Sequence, residues 1–443
     1  MINTQAVLDY IQSADWSDFP REVQHQAKRC LLDTLGCLLA GMRTPVARIV
    51  ADTAVSCFGG TPAARILVDG RCASPVGASL AHGFAANALD MDDGYRLVKG
   101  HPGACILPVL LTFAQTIPLC SGRDFLTALV VGYEVGIRAG ILRHATSPSY
   151  HASGSWGALA GVAAGAKLLG MNRRTIREAL GTAEYHAPIA PMMKCIDVPA
   201  MTKDGIGWGA MAAAASLILA ERGFTGIRPL FDDRTGDVLV PPLGGRYEML
   251  NLYFKPYAAC RWAQPAIRGA LLLQRRHGLS VGDIARIQVK TFRAATALGC
   301  GMPANTEEAQ YNLAYPLATA LLDGKVGPDQ VLGEGLGDPE RIRLAGKVQV
   351  IDDPGMDAAF PSKTLAEVSI TLTDGRVFRS GVVEPAWEPP HTLPADRELE
   401  EKFLSLSAAV LGDGKANDLL CRLWDLDACD DIAFLFRLSR ECC

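Results

Sequence analysis

Residues 154–170 read GSWGALAGVAAGAKLLG and residues 205–215 read GIGWGAMAAAA. Glycine and alanine dominate both stretches, and side chains that small let a helix approach its neighbours closely. Both are therefore expected as central helices of a helical bundle. Outward from them, apolar residues recur at helical spacing over 21–42, where Val23, Ala27, Cys30, Leu31, Leu35 and Leu38 line one face, and again over 46–58, 75–89, 106–117, 124–142, 174–185 and 205–222. Gly, Pro and Asp turns separate these runs, and the one early β signal is a hairpin at Asp69-Gly70.

After Pro229 the texture changes. Segments 247–254, 283–292, 347–351, 365–372 and 377–383 are enriched in β-branched residues and read as strands, with helices expected over 264–276 and 307–322. The Pro-rich piece 388–394 reads as a linker, after which 396–411 returns to helical spacing. The fold class that follows is mainly α with an α+β part: a large all-helical domain (1–245), a smaller α+β domain (246–392), and C-terminal helices (393–443) packing back on the helical domain.

The 443 residues are 49% hydrophobic, 7% aromatic and 20% charged, the composition of an ordinary globular chain rather than a disordered one. Lys and Arg (43) nearly balance Asp and Glu (47), with no block of like charge, so a nucleic-acid partner is not expected. The run from Gly209 to Ala220 is too short for a bilayer, which needs roughly 18–20 residues. The segment MINTQAVLDYIQSAD has no targeting pattern, so a cytoplasmic protein without a membrane partner is expected. Thirteen cysteines, ending in Cys442 and Cys443, form no CxxC or zinc-spaced cluster and read as reduced structural thiols. Nucleotide, P-loop, HExxH, GxSxG and calcium-loop signatures are missing; DMDDG at 90–94 lacks the alternating ligands of the last.

The chemistry-bearing residues gather in five segments. NALDMDDGYRLVKGHPG (87–103) packs Asp92, Asp93, Arg96, Lys99 and His101 beside an apolar helix; an Asp there can orient an imidazole, and Arg96 or Lys99 can bind a carboxylate. In SYHASGSWGALAG, His151 precedes the glycine-rich helix and Ser153 is placed to cap it. In the loop 184–209, Lys203 sits before a helix N-terminus, where a positive charge opposes the dipole and points to an anionic ligand; Met192 and Met193 read as packing residues. KPYAACRWAQPAI (255–267) carries Gln264, and AQYNLAYPLATALLDG (309–324) carries Tyr315, a proton donor or acceptor at a pocket edge.

In this order, LDMDDG…GHPG, YHASGSWGALAGVAAGAKLLG, MTKDGIGWGA, KPYAACRW and AQYNLAYPLATALLDG resemble the MmgE/PrpD family over most of the chain. Its members include 2-methylcitrate dehydratase, cis-aconitate decarboxylase and iminodisuccinate epimerase. The resemblance implies a pocket between two domains, a homodimer, no metal or nucleotide cofactor, and a small polycarboxylate substrate. It also implies catalytic roles for Asp93, His101, His151, Lys203 and Tyr315; from their own chemistry and position, Asp92, Arg96, Lys99, Ser153 and Gln264 are the expected substrate-binding residues. Gln264 departs from the decarboxylase-like pattern, which has a histidine there, and glutamine cannot transfer a proton near neutral pH. The expected activity is accordingly a lyase, dehydration ahead of decarboxylation. In it His151 or His101 moves a proton next to a carboxylate, Asp93 orients the histidine, Lys203 and Arg96 hold carboxylates, and Tyr315 handles a second proton. An epimerase of an iminodisuccinate-like dicarboxylate is the alternative, and a non-catalytic binding protein a weaker one.

Overall fold

The computed structural model describes residues 2–147, 149–233 and 240–438; Cys442 and Cys443 lie outside them. The architecture is mainly helical with a small mixed sheet, the class read from the sequence. Side-chain caps and prolines set the helix starts. Thr44 and Ser74 accept the N–H groups of Ala47 and Gly77, each just ahead of a proline whose fixed φ suits the first helical turn.

Helices Gly154–Leu168 and Ile206–Glu221 lie at the centre, packed on each other and on Pro75–Asn87 and Pro102–Phe113. Their small residues are what allows it. A Cβ added at Gly157 would stand 2.2 Å from Cys105 Sγ, and one at Gly161 2.8 Å from the Ala213 Cβ. The longest helix, Gly122–Thr146, has the length and hydropathy to cross a membrane, but 94% of its most apolar window is buried inside the protein, so it is a core helix. The helical spacing read over 124–142 falls inside it; Glu134 and Arg138, which interrupt its apolar run, form a fully buried i,i+4 ion pair at 2.6 Å.

Strands β1 (Ala64–Arg65) and β2 (Cys72–Ala73) close the hairpin around Gly70. The remaining strands, β3 (Ile284–Thr291), β4 (Val348–Asp352), β5 (Ala366–Leu372) and β6 (Val377–Val383), form one sheet in the order β4-β3-β5-β6. Only the β3–β4 pairing is parallel. Helix Gln264–His277 covers β5 and β6, and a second hydrophobic core joins sheet and helices to Leu89, Met91, Met192 and Ile196 of the N-terminal part. C-terminal helix Asp396–Leu411 packs on Arg21–Gly41, where Lys402 Nζ bonds Asp33 Oδ1 at 2.5 Å and the Met91 carbonyl at 2.6 Å.

Two expectations need correction. Segment 247–254 is not a strand: Glu248–Asn251 is a 3-10 turn and Tyr253 makes only an isolated bridge to Gly94, because its edge meets a loop rather than a sheet. Segment 307–322 is two helices, Thr306–Gln310 and Ala314–Asp323. Asn312 Oδ1 takes the Tyr315 N–H at 2.8 Å, the local side-chain bond that competes with helix continuation. That break sends Tyr311 and Tyr315 in different directions.

Candidate active site

A cleft lies where the loop 90–101, the segments around Tyr150, Ile196 and Asp204, and the second core meet; its lining includes Asp90, Arg96, Lys99, His101, Asp204, Arg261 and Tyr311. Strained backbone gathers around it. The described non-glycine residues with positive φ are Val68, Asp90, Lys99, Lys203 and Trp387; Asp90 and Lys99 line the cleft, and Lys203 packs on Tyr311 of its lining. Such conformations cost on the order of 1–3 kcal/mol each and persist where the surroundings impose them.

His101 is the centre of the arrangement. It stands at the N-terminus of helix Pro102–Phe113, where the dipole disfavours a cation, yet it is surrounded by carboxylates. Its Nδ1 lies 3.1 Å from both Asp92 Oδ2 and the Asp93 carbonyl, and its Nε2 lies 3.6 Å from Asp90 Oδ1 and from Asp204 Oδ2. Burial opposes its charge, but Asp92, with Asp204 adding to it, raises it to about 9. Asp92, pushed up by burial, is held down at about 2 by His101 and Lys255. At neutral pH the ring is an imidazolium.

The remaining carboxylates are matched in turn. Asp90 pairs with the Lys255 ammonium, both fully buried. Asp204 Oδ1 accepts from the Tyr311 hydroxyl at 2.9 Å and Oδ2 from Ser153 Oγ at 3.2 Å. Donor atoms of Asp90, Asp92 and His101 come within 4.8 Å of one another, a spacing a cation can occupy, but Lys255 already supplies positive charge to that group. At the mouth, Glu388 Oε1 receives Arg261 Nη2 at 2.5 Å and lies 3.3 Å from Arg96 Nε. Lys99 Nζ stands 4.8 Å over the Tyr150 ring, and burial lowers its pKa.

Of the residues expected from sequence, the structure brings His101, Asp92, Arg96, Lys99, Ser153 and Lys203 together. Lys203 Nζ bonds Gln310 Oε1 at 2.5 Å and lies 5.1 Å from the Tyr311 ring centre, a turn before the helix rather than on its first amides. Ser153 makes no cap; its hydroxyl serves Asp204 and the His101 amide. The Asp93 carboxylate does not reach the imidazole: it accepts from Gly103 N at 3.0 Å and Tyr133 Oη at 2.5 Å, so it caps the helix while Asp92 orients the ring. Burial and Asp33 raise it to about 7.

The other three lie away from the lining. His151 is buried, with Nδ1 2.6 Å from Ser155 Oγ, its ring stacked on His144 at 4.5 Å and its pKa lowered by burial. Tyr315 donates to the carbonyls of Gln330 (2.9 Å) or Gly335 (2.7 Å). Gln264 Nε2 ties the carbonyls of Tyr257 and Ala259 at 3.0 and 2.9 Å, fixing the loop that follows Lys255. Sequence reasoning missed Asp90, Asp204, Lys255, Arg261, Tyr311 and Glu388. The first five stand inside segments already singled out, and a buried lysine or aspartate in an apolar run is the signal that marks them.

Residues 5–241 match the MmgE/PrpD N-terminal domain and residues 257–426 the MmgE/PrpD C-terminal domain. The chain is 24% identical to a cis-aconitate decarboxylase of Aspergillus terreus, covering 98% of this chain and 95% of the relative. It is 25% identical to a 2-methylcitrate dehydratase of Cupriavidus necator (81% and 80% covered) and 25% identical to that of Escherichia coli K12 (85% and 84%).

Proposed function

The chain belongs to the MmgE/PrpD family, and from that premise we propose that it is a lyase removing water from a small hydroxy-polycarboxylate by proton transfer next to a carboxylate. The relatives support a lyase of this family; the choice of dehydration rests on one observation. His101, buried, stands with Nε2 3.6 Å from Asp204 Oδ2 inside a cleft rimmed by Arg96, Lys99 and Arg261.

Such a pair divides the reaction between acid and base. Asp204 takes the proton from the carbon next to a carboxylate, and the C–H electron pair becomes the new double bond. The C–O bond breaks, and His101 delivers its proton to the departing hydroxyl, so water leaves. Asp204 then returns its proton to His101, restoring both groups. The rim cations hold the substrate carboxylates and stabilise the charge that develops on the one beside the reacting carbon. Lys203, held by Gln310, positions Tyr311, and Tyr311 positions Asp204. Because Gln264 faces the loop carbonyls, it supports no argument about proton transfer.

The test is incubation of the purified protein with malate, citrate, 2-methylcitrate and cis-aconitate, following alkene formation by ultraviolet absorbance and products by chromatography. An alkene from a hydroxy acid, lost in His101→Gln, is the expected result. Carbon dioxide release from cis-aconitate as the faster reaction contradicts dehydration. No turnover of any member contradicts the substrate class.

We also propose that the protein acts as a homodimer. Supporting it, Val50, Phe58 and Met211 pack only partly buried on the small apolar cluster of Val46, Leu80, Phe84 and Ala88, and Ile49 and Trp208 are half exposed on the helices that carry Val50 and Met211. Light scattering at micromolar concentration showing only monomer contradicts this.

A further inference from the structure

The segment containing Glu388, read from sequence as a linker, contributes charge to the cleft. Glu388 is only 5% exposed and takes both Arg261 and Arg96 on one oxygen, so a protein carboxylate already occupies part of the rim that a substrate carboxylate would use. Charged side chains that line the cleft, or directly contact a lining side chain, can be set against each other. Lys255 balances Asp90, and the His101 imidazolium balances Asp92. Lys203, packed on Tyr311, stands against the neighbouring Asp204. The two arginines exceed Glu388 by one charge, and Lys99 has no ion-pair partner among the described residues. Six cations thus face four carboxylates. Asp93 is outside this set, its carboxyl engaged by Tyr133 and the Gly103 amide.

We infer that the cleft is built for a dicarboxylate dianion, and that Glu388 is the residue that sets this number by neutralising one of the two rim guanidinium groups. The inference rests on the proposed polycarboxylate reading and narrows it. Charges taken out of water need compensation, so a ligand carrying one carboxylate beyond the available cations leaves an unpaired charge at the rim. Glu388 acts through the arginines and is a specificity-determining positioning residue.

The test is calorimetric binding of succinate, tricarballylate (the matched trianion) and propionate near pH 7.5, none of which offers a hydroxyl to eliminate. Succinate is expected to bind about tenfold more tightly than tricarballylate, the worth of one uncompensated charge of about 1.4 kcal/mol. Glu388→Gln adds one net positive charge, and the preference is expected to move at least tenfold toward tricarballylate. Lys99→Gln gives a second arm should Glu388→Gln fail to fold, and is expected to lower the preference for succinate over propionate. Tighter tricarballylate than succinate in the native protein overturns the inference while leaving the functional reading intact. So does an unchanged preference in Glu388→Gln. Failure of all three acids to bind overturns the functional reading along with it.

Discussion

Replacing Asp92 with asparagine removes the charge 3.1 Å from His101 Nδ1 while keeping a side chain of the same shape beside Asn87. In the native protein burial works against the imidazolium, Asp92 outweighs it, and the ring is held at about 9 against an ordinary value of 6.5. Asp92, raised by burial but lowered further by His101, sits at about 2 against 3.8. At 1.36 kcal/mol per pH unit, the two displacements bracket the pairing at about 2–3 kcal/mol; they describe one interaction and are not summed. Asp204 contributes to the rise of His101, and Lys255 and Asn87 to the fall of Asp92, so the lower figure is the safer one for the pair alone. The signs follow from linkage. A histidine raised in the folded state stabilises it fully below 6.5, and that contribution is lost as pH rises through about 9. A depressed aspartate stabilises above 3.8, and that is lost as pH falls through about 2. The pair therefore contributes fully from about pH 3.8 to 6.5. In Asp92→Asn burial and Lys255 prevail, and His101 is expected to titrate below 6.5. The assay is NMR titration of the imidazole protons, with the His101 signal assigned by His101→Gln, beside urea unfolding near pH 6 and near pH 10. The variant should be about 2–3 kcal/mol less stable near pH 6, the gap shrinking near pH 10. A His101 that still titrates above pH 8 in the variant, or a gap independent of pH, shows that Asp92 is not what holds the ring charged.

Asp204→Asn is expected to lower kcat by about a hundredfold or more with the circular dichroism unchanged, as removal of a general base does; a loss under tenfold assigns the base elsewhere. Tyr315→Phe is expected to leave kcat within about twofold and cost about 1–2 kcal/mol in unfolding free energy, since its hydroxyl donates to the Gln330 or Gly335 carbonyl, away from the cleft lining. Lys255→Met strands the Asp90 carboxylate in a buried site, and thermal or urea denaturation should show a loss of about 3–5 kcal/mol. Gly103→Ala drives a Cβ to 2.3 Å from Thr34 Oγ1 and 2.4 Å from Tyr133 Oη, so about 1–3 kcal/mol should be lost through displacement of the Asp93 cap.

The sequence carried the helical framework because period and small-residue content are local properties. The central helices Gly154–Leu168 and Ile206–Glu221 are visible in composition alone, and strands 365–372 and 377–383 in their β-branched texture. Segments rich in chemistry were legible too, since Asp, His and Lys crowded among glycines are unusual. What the sequence could not show is direction. Asp92 and Asp93 are neighbours, yet one carboxylate faces the imidazole and the other the Gly103 amide, a choice made by the turn that places Asp90 at positive φ. Tyr311 and Tyr315 stand one helical turn apart in a pattern that reads as continuous; the bond from Asn312 breaks the helix and gives the cleft to Tyr311. Glu388 was hidden by its surroundings, because prolines mark a linker whether or not one of its side chains turns inward.

Proton NMR in deuterium oxide with malate and 2-methylcitrate follows the proposed proton transfer between Asp204, His101 and a carbon next to a carboxylate. An alkene product is expected from at least one of them, with deuterium exchanged into the recovered hydroxy acid at the carbon that loses its proton, and neither signal in Asp204→Asn. Turnover and exchange that persist undiminished in Asp204→Asn, or a native enzyme that neither dehydrates nor exchanges either acid, would contradict it.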